Sequence, residues 1–253
     1  MNEMIISIWV IAAIFFFVAL AYSSVGLGGG SSYTALLVVF GFSALSIPLI
    51  SLALNLLVTS IGSFNFIRHG HLRIRLIFPF IISSIPMAWI GGLLQVSEEI
   101  FQIILFFSLI LVLFRIYFWT NTQFRWKLSD TQKLIVSIVS GAILGLLAGL
   151  VGIGGGIYLV PLIIMLGLGT MKEAAACGAV FIWINSLIGL ISRFQFNFID
   201  LTPYLPLLIT VVAGGLFGSL LGSRVLSGRV MEKVLGSVVV IAVFLLGRTL
   251  LYS

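Results

Sequence analysis

Charge is what this chain most lacks. Only 8% of its 253 residues are Asp, Glu, Lys or Arg, where a water-soluble domain carries roughly a quarter. With 61% hydrophobic residues and a mean hydropathy of +1.29, there is too little polar surface to clothe a globule in water, so lipid solvates much of it. The one cysteine, Cys177, excludes an internal disulfide. No Asp or Glu falls centrally in any apolar stretch, which removes the buried carboxylate typical of proton pumps. The same shortage leaves no acid–base pair and no metal cluster in the apolar region, so neither an enzyme nor a cofactor is expected. The net charge of +6 is spread over short loops and forms no basic, aromatic-interleaved face, so nucleic acid is not an expected partner. No basic region precedes the first apolar stretch, and Ile5 to Tyr22 reads as a spanning helix rather than a cleaved leader.

What is present is a series of apolar segments and a repeat. Several segments reach the roughly 20 residues that span a hydrocarbon core, without the short alternating pattern of a β-barrel. The glycine run Gly26-Leu27-Gly28-Gly29-Gly30 returns as Gly152-Ile153-Gly154-Gly155-Gly156, and Phe40-Gly41 returns as Leu166-Gly167, both 126 residues on. Asn55 pairs with Asn185 and Phe64-Asn65-Phe66 with Phe194-Gln195-Phe196 at an offset of 130. The expected architecture is therefore an all-α polytopic membrane protein of two homologous repeats, residues 1–124 and 125–253, joined by the polar stretch Asn121 to Gln132. Each repeat holds five segments: 4–25, 31–46, 47–67, 74–95 and 99–119, then 132–152, 157–169, 172–193, 202–223 and 230–251. This gives 8–10 transmembrane helices, depending on whether the short segments 31–46 and 157–169 cross or re-enter. If all ten cross, 11 of the 13 Lys and Arg lie on one side; re-entry leaves 9 against 4. The positive-inside rule favours ten crossings, which would make the repeats inverted and the protein a multi-pass protein of the inner membrane.

Three consecutive glycines stop a helix: each costs about 1 kcal/mol relative to alanine in a helix interior. Backbone broken at membrane depth is tolerated only where it is buried in protein or lines a cavity. A short helix starting after such a break has unpaired N–H groups and roughly half a positive charge at its N-terminus, a natural anion site. The candidate substrate-binding residues are thus Gly28, Gly29, Gly30, Ser31, Ser32 and Tyr33 at the first break, and Gly154, Gly155, Gly156, Ile157 and Tyr158 at the second. Asn55 and Asn185, with Thr59 one turn after Asn55, join them. An amide in an apolar helix needs a partner, and each Asn binds either substrate or a neighbouring helix. Gly141, Gly145 and Gly149, and Gly214, Gly218 and Gly222, recur every four residues and read as packing faces. Arg115 and Arg248, near the ends of the last segments, read as snorkelling cations. Position 31 after the first run and 157 after the second hold Ser31 and Ile157, and no strand precedes either run, so a dinucleotide fingerprint is excluded.

The paired glycine motifs, the second continuing as Gly154-Gly155-Gly156-Ile157-Tyr158-Leu159-Val160-Pro161, and the loop Phe66-Ile67-Arg68-His69-Gly70-His71 resemble the sulfite exporter TauE/SafE family of membrane permeases over nearly the whole chain. The first run is followed by no such proline, and the second repeat has Phe196-Asn197-Phe198-Ile199-Asp200 in place of the basic loop. The resemblance implies a permease that moves sulfite, sulfonates or another small anion across the membrane, with alternating access as its mechanism and its direction left open. Its partners would be that anion and the bilayer. A coupling proton or sodium ion and a homodimer stay open, and an anion channel, or a non-transporting membrane subunit or enzyme, is the alternative. Without a buried acid, coupling would use the substrate's own protonation or a cation held by backbone carbonyls at the breaks.

Overall fold

A computed structural model describes residues 8–94, 128–196 and 200–227, with scattered positions at 96–110 and 230–247. Most of the expected segments at 99–119 and 230–251 and of the polar joining stretch, with Arg115 and Arg248, lies outside the described residues. All elements described are helical: α1 (Ile8–Ser24), α2 (Gly30–Val39), α3 (Ser46–Arg68), α4 (Ile74–Leu93), α5 (Asp130–Val151), α6 (Gly156–Met165), α7 (Met171–Phe194), a 3-10 turn (Thr202–Tyr204) and α8 (Leu205–Arg224). Five spans, 46–68, 74–93, 130–151, 171–194 and 202–224, are long and apolar enough to cross a membrane. Capping boxes start α5 (Ser129 with Gln132) and α7 (Thr170 with Glu173), each satisfying two backbone donors reciprocally.

The short helices end earlier than the apolar pattern predicts, at Val39 and Met165 rather than 46 and 169. The cause is the recurring glycine. Gly41 (φ 77°) and Gly167 (φ 64°) are left-handed. Gly41 N–H donates to Val38 O and Phe42 N–H to Leu37 O, with Gly167 to Ile164 O and Leu168 to Ile163 O matching them, all at 3.0 Å. These are Schellman terminations. At ten residues each, α2 and α6 are about 15 Å long, half the thickness of a hydrocarbon core.

Glycine stripes set how the long helices lie. Gly214, Gly218 and Gly222 of α8 press on Phe16, Leu20 and Ser24 of α1 in rising order, so these two helices are parallel. Gly141, Gly145 and Gly149 of α5 press likewise on Phe80, Ser84 and Ala88 of α4. Small residues let the backbones approach closely, the packing role expected of them. Across the centre, Gly189 of α7 meets Leu52 of α3, and Trp183 Nε1 donates to Ser60 Oγ at 2.8 Å, so α3 and α7 are antiparallel. Asn65 of α3 donates to Ser219 of α8 at 2.7 Å, and Ser192 of α7 to the Trp89 carbonyl of α4 at 2.8 Å. Helices α1, α3 and α8 therefore point one way and α4, α5 and α7 the other.

At one end of this bundle lie Arg68, Arg73, Arg75, Lys133, Lys172 and Arg224. They are joined by Arg73 to Glu173 (3.5 Å), Lys172 to the Ser223 carbonyl (3.3 Å) and Arg224 Nε to His69 Nε2 (3.0 Å). The opposite end holds Phe42 against Tyr204 (ring centroids 5.9 Å apart) and Asp200. Large apolar side chains such as Trp9, Phe17, Phe78 and Ile209 are exposed around the outside, as a lipid-facing surface requires.

Candidate functional site

The two glycine runs meet at Asn55, the tenth residue of α3. Gly29 (φ 96°) and Gly155 (φ 74°) are the left-handed N-cap residues of α2 and α6. Neither helix has a side-chain cap, so both N-termini offer bare N–H groups. From this centre the half-helices diverge. Helix α2 runs toward the end with Phe42 and Tyr204. Helix α6 runs toward the cationic end, where Arg73 donates to the Leu168 carbonyl at 3.3 Å. The positive ends of two helix dipoles thus converge at mid-depth.

Side chains of α3 lock the breaks together. Asn55 Nδ2 donates to the Gly152 carbonyl at 3.2 Å. One turn earlier, the Ser51 hydroxyl lies 3.0 Å from the same carbonyl and 3.2 Å from that of Gly30, and receives the Thr34 hydroxyl at 3.0 Å. A methyl carbon placed on Gly154 would stand 3.1 Å from Asn55 Nδ2 and 3.4 Å from Ser186 Oγ, so the Gly154 backbone is lodged between α3 and α7. One on Gly30 would stand 2.7 Å from the Ile153 carbonyl, which shows how closely the two runs touch. Glycine is required here for approach as much as for dihedral freedom.

Several polar groups at this centre have no partner among the described residues although they are fully buried. They are Tyr33 OH, Asn55 Oδ1, Asn185 Oδ1 and Ser186 Oγ. Buried polar atoms are normally satisfied. Tyr33 stacks on Phe15 (centroids 4.9 Å apart), and its hydroxyl lies where a methyl on Gly29 would be 2.9 Å away, directly at the start of α2. Asn185 donates to the Phe181 carbonyl of its own helix at 2.8 Å.

The other sequence candidates divide. Ser31 and Ser32 are buried, and both hydroxyls bond to Tyr22 OH at 2.9 Å, so they order the junction of α1 and α2. The Thr59 hydroxyl donates to the Asn55 carbonyl at 2.6 Å and turns away from the centre. Gly28 and Gly156 are packed against Asn55 and Ile182, Ile157 is buried, and Tyr158 is half-buried. Three contributors escape the sequence pattern: Ser51, Tyr22 and Arg193. Arg193, in the last turn of α7, is 7% exposed, and donates to the Gly149 carbonyl (3.1 and 3.0 Å) and the Leu150 carbonyl (2.6 Å). It neutralises the negative end of α5 just before the second break. It stands at the opposite end of the bundle from the other described cations of the helices. Its spacing from Asn185, eight residues, is the only signal that could have drawn attention to it.

A bundle of apolar helices enclosing two opposed half-helices with unsatisfied polar groups at their meeting point is the build of a membrane transporter. Comparison with known proteins makes this specific. The model of the sulfite exporter TauE/SafE family matches residues 11–250, and the chain belongs to that family. It is 35% identical over 237 residues, 92% of this chain and 95% of the relative, to the probable membrane transporter protein y4hK of Sinorhizobium fredii (strain NBRC 101917 / NGR234). It is 30% identical over 118 residues, 47% of this chain and 41% of the relative, to the probable membrane transporter protein YunE of Bacillus subtilis (strain 168). No solved structure matches.

Proposed function

We propose that this membrane transporter is a secondary carrier that moves a small anion, a sulfur oxyanion or sulfonate, by alternating access around the two glycine breaks. The observation that carries the reading is the convergence of the α2 and α6 N-termini on one buried centre, with Tyr33 OH and the Ser186 hydroxyl free to donate there. Two positive helix ends favour an anion. The sulfur chemistry of the substrate class rests on membership of the sulfite exporter family.

The two halves act as inverted repeats. The opposed directions of α1 with α3 and of α5 with α7, and left-handed glycines recurring 126 residues apart (26 and 152, 29 and 155, 41 and 167), support this. The cationic end faces the cytoplasm of an inner-membrane protein by the positive-inside rule. Counterflow in proteoliposomes tests the mechanism. Labelled sulfite exchanges against unlabelled trans substrate in a carrier, and shows no such exchange through a channel. Gly29→Leu and Gly155→Leu, which drive side chains into Tyr33 and Phe181, abolish exchange while the proteins still insert and purify. Exchange surviving both places the site elsewhere.

A further inference from the structure

The two asparagines that pair between the halves leave the same atom unsatisfied. Asn55 Nδ2 is committed to the Gly152 carbonyl at 3.2 Å and Asn185 Nδ2 to the Phe181 carbonyl at 2.8 Å. Reversing either amide would set oxygen against oxygen, so each orientation is pinned. Both Oδ1 atoms therefore point away from their bonds, fully buried, with no donor among the described residues. Leu52 against Gly189 and Ser60 against Trp183 bracket Asn55 and Asn185 at one level of the α3–α7 crossing. The centre consequently offers donors (two helix N-termini, Tyr33 OH, Ser186 Oγ) and also buried acceptors.

A bare oxyanion satisfies the donors and leaves the acceptors facing its own oxygens. A metal cation satisfies the acceptors and meets two positive helix ends. Resting on the anion reading above, we infer that the site takes a singly charged oxyanion that still carries one proton, whose O–H is received by the Asn55 or Asn185 carbonyl oxygen. The oxygens of the same ion accept from the helix N-termini, Tyr33 and Ser186. An anion of equal shape and charge without an O–H is rejected because it leaves a buried acceptor unpaired. The proton then crosses on the cargo. This agrees with the placement of acids in α1–α8, where Asp130 and Glu173 lie in first turns at one end.

The test is binding of two isosteric monoanions to the purified full chain at one mildly acidic pH. Methylphosphonate carries one O–H in its monoanion, and methanesulfonate carries none. Hydrogen sulfite serves as a third probe, and thermal stabilisation and calorimetry are the readouts. Methylphosphonate and hydrogen sulfite bind, and methanesulfonate binds weaker by about ten-fold or more. Asn55→Leu and Asn185→Leu are both checked for folding on size exclusion, and in at least one of them the gap between the isosteres closes toward two-fold. Equal binding of methylphosphonate and methanesulfonate to the unaltered protein overturns the inference and leaves the anion site standing. A gap unchanged in both folded asparagine variants overturns it too, the preference then arising from other groups. Binding of none of the three removes the anion site itself. Should either variant fail to fold, the comparison of the two isosteres on the unaltered protein decides alone.

Discussion

Gly28→Ala probes the contact between the first break and α3 without disturbing the backbone. Gly28 is not among the left-handed glycines, so alanine meets no dihedral strain. The added methyl would stand 3.0 Å from Asn55 Cγ and 3.1 Å from Thr59 Cγ2, and closer still to Asn55 Oδ1. Relief requires the amide to swing and to give up its 3.2 Å bond to the Gly152 carbonyl. Overpacking costs about 1–3 kcal/mol and a lost buried hydrogen bond about 1 kcal/mol, so the variant is destabilised by about 2–4 kcal/mol. Asn55→Ala alone loses the same bond but also removes an unpartnered oxygen, and costs about 1–2 kcal/mol. Combined, the two are less than additive by about 2–4 kcal/mol, because the clash has gone and the shared bond is lost only once. Gly30→Ala is the control. Its methyl also meets the Ile153 carbonyl at 2.7 Å, and Asn55→Ala cannot relieve a backbone contact. SDS unfolding of the purified proteins measures these four and the combination of Gly30→Ala with Asn55→Ala. Strict additivity of Gly28→Ala with Asn55→Ala would refute the packing of the amide against the first break.

Tyr33→Phe leaves unfolding stability within about 0.5 kcal/mol, since the hydroxyl has no partner among the described residues and the ring keeps its stack on Phe15. Anion binding measured by calorimetry weakens in the same variant, and unchanged affinity would remove Tyr33 from the site. Gly41→Ala costs about 1 kcal/mol, purely from the left-handed φ of 77°, because nothing stands within 4 Å of the new methyl. Gly152→Ala costs more, having both φ 80° and the Pro48 Cα at 2.9 Å, and equal unfolding midpoints would contradict the ranking. Arg193→Met strips the Gly149 and Leu150 carbonyls of their donors and destabilises by about 1.5–3 kcal/mol. Arg193→Lys recovers part of that, because an ammonium reaches as a point charge what the guanidinium spans, and Lys no better than Met in the unfolding assay refutes the capping role.

The membrane environment, the helices and the breaks are all legible in the sequence because each is written in a strong local signal. Apolar length marks α3, α4, α5 and α7, and Ser129-Gln132 and Thr170-Glu173 mark two helix starts. Triple glycine marks where α2 and α6 begin. The early ends of α2 and α6 were present as Phe40-Gly41 and Leu166-Gly167. Hydropathy overruns them because the residues after a Schellman turn are as apolar as those before it. What the pattern does not convey is which hydroxyls face the centre. Ser31, Ser32 and Thr59 stand at the right positions, yet each finds a closer partner in Tyr22 or in the Asn55 carbonyl. Ser51, an ordinary serine in an apolar helix, lies against both breaks only because α3 passes between them.

The two halves share backbone far more than they share side chains, and the difference has an electrostatic consequence. At the 130-residue offset that pairs Asn55 with Asn185 (185 − 55), Arg193 falls opposite Ser63 (193 − 63). The second break therefore has a guanidinium on the carbonyls that precede it, whereas Ser63, whose buried hydroxyl has no partner among the described residues, supplies no charge at the first. A buried cation with no carboxylate partner among the described residues raises the local potential on its side of the centre. Arg193 and the other described cations of the helices lie at opposite ends of the bundle, so on the proposed reading an anion leaving the centre meets, among the described residues, one buried charge one way and a cluster of largely exposed ones the other. Glycine spacing sets where the half-helices meet. Among the described residues, the electrostatic inequality of the two sides of that point rests on Arg193, which the repeat alone would have assigned as serine.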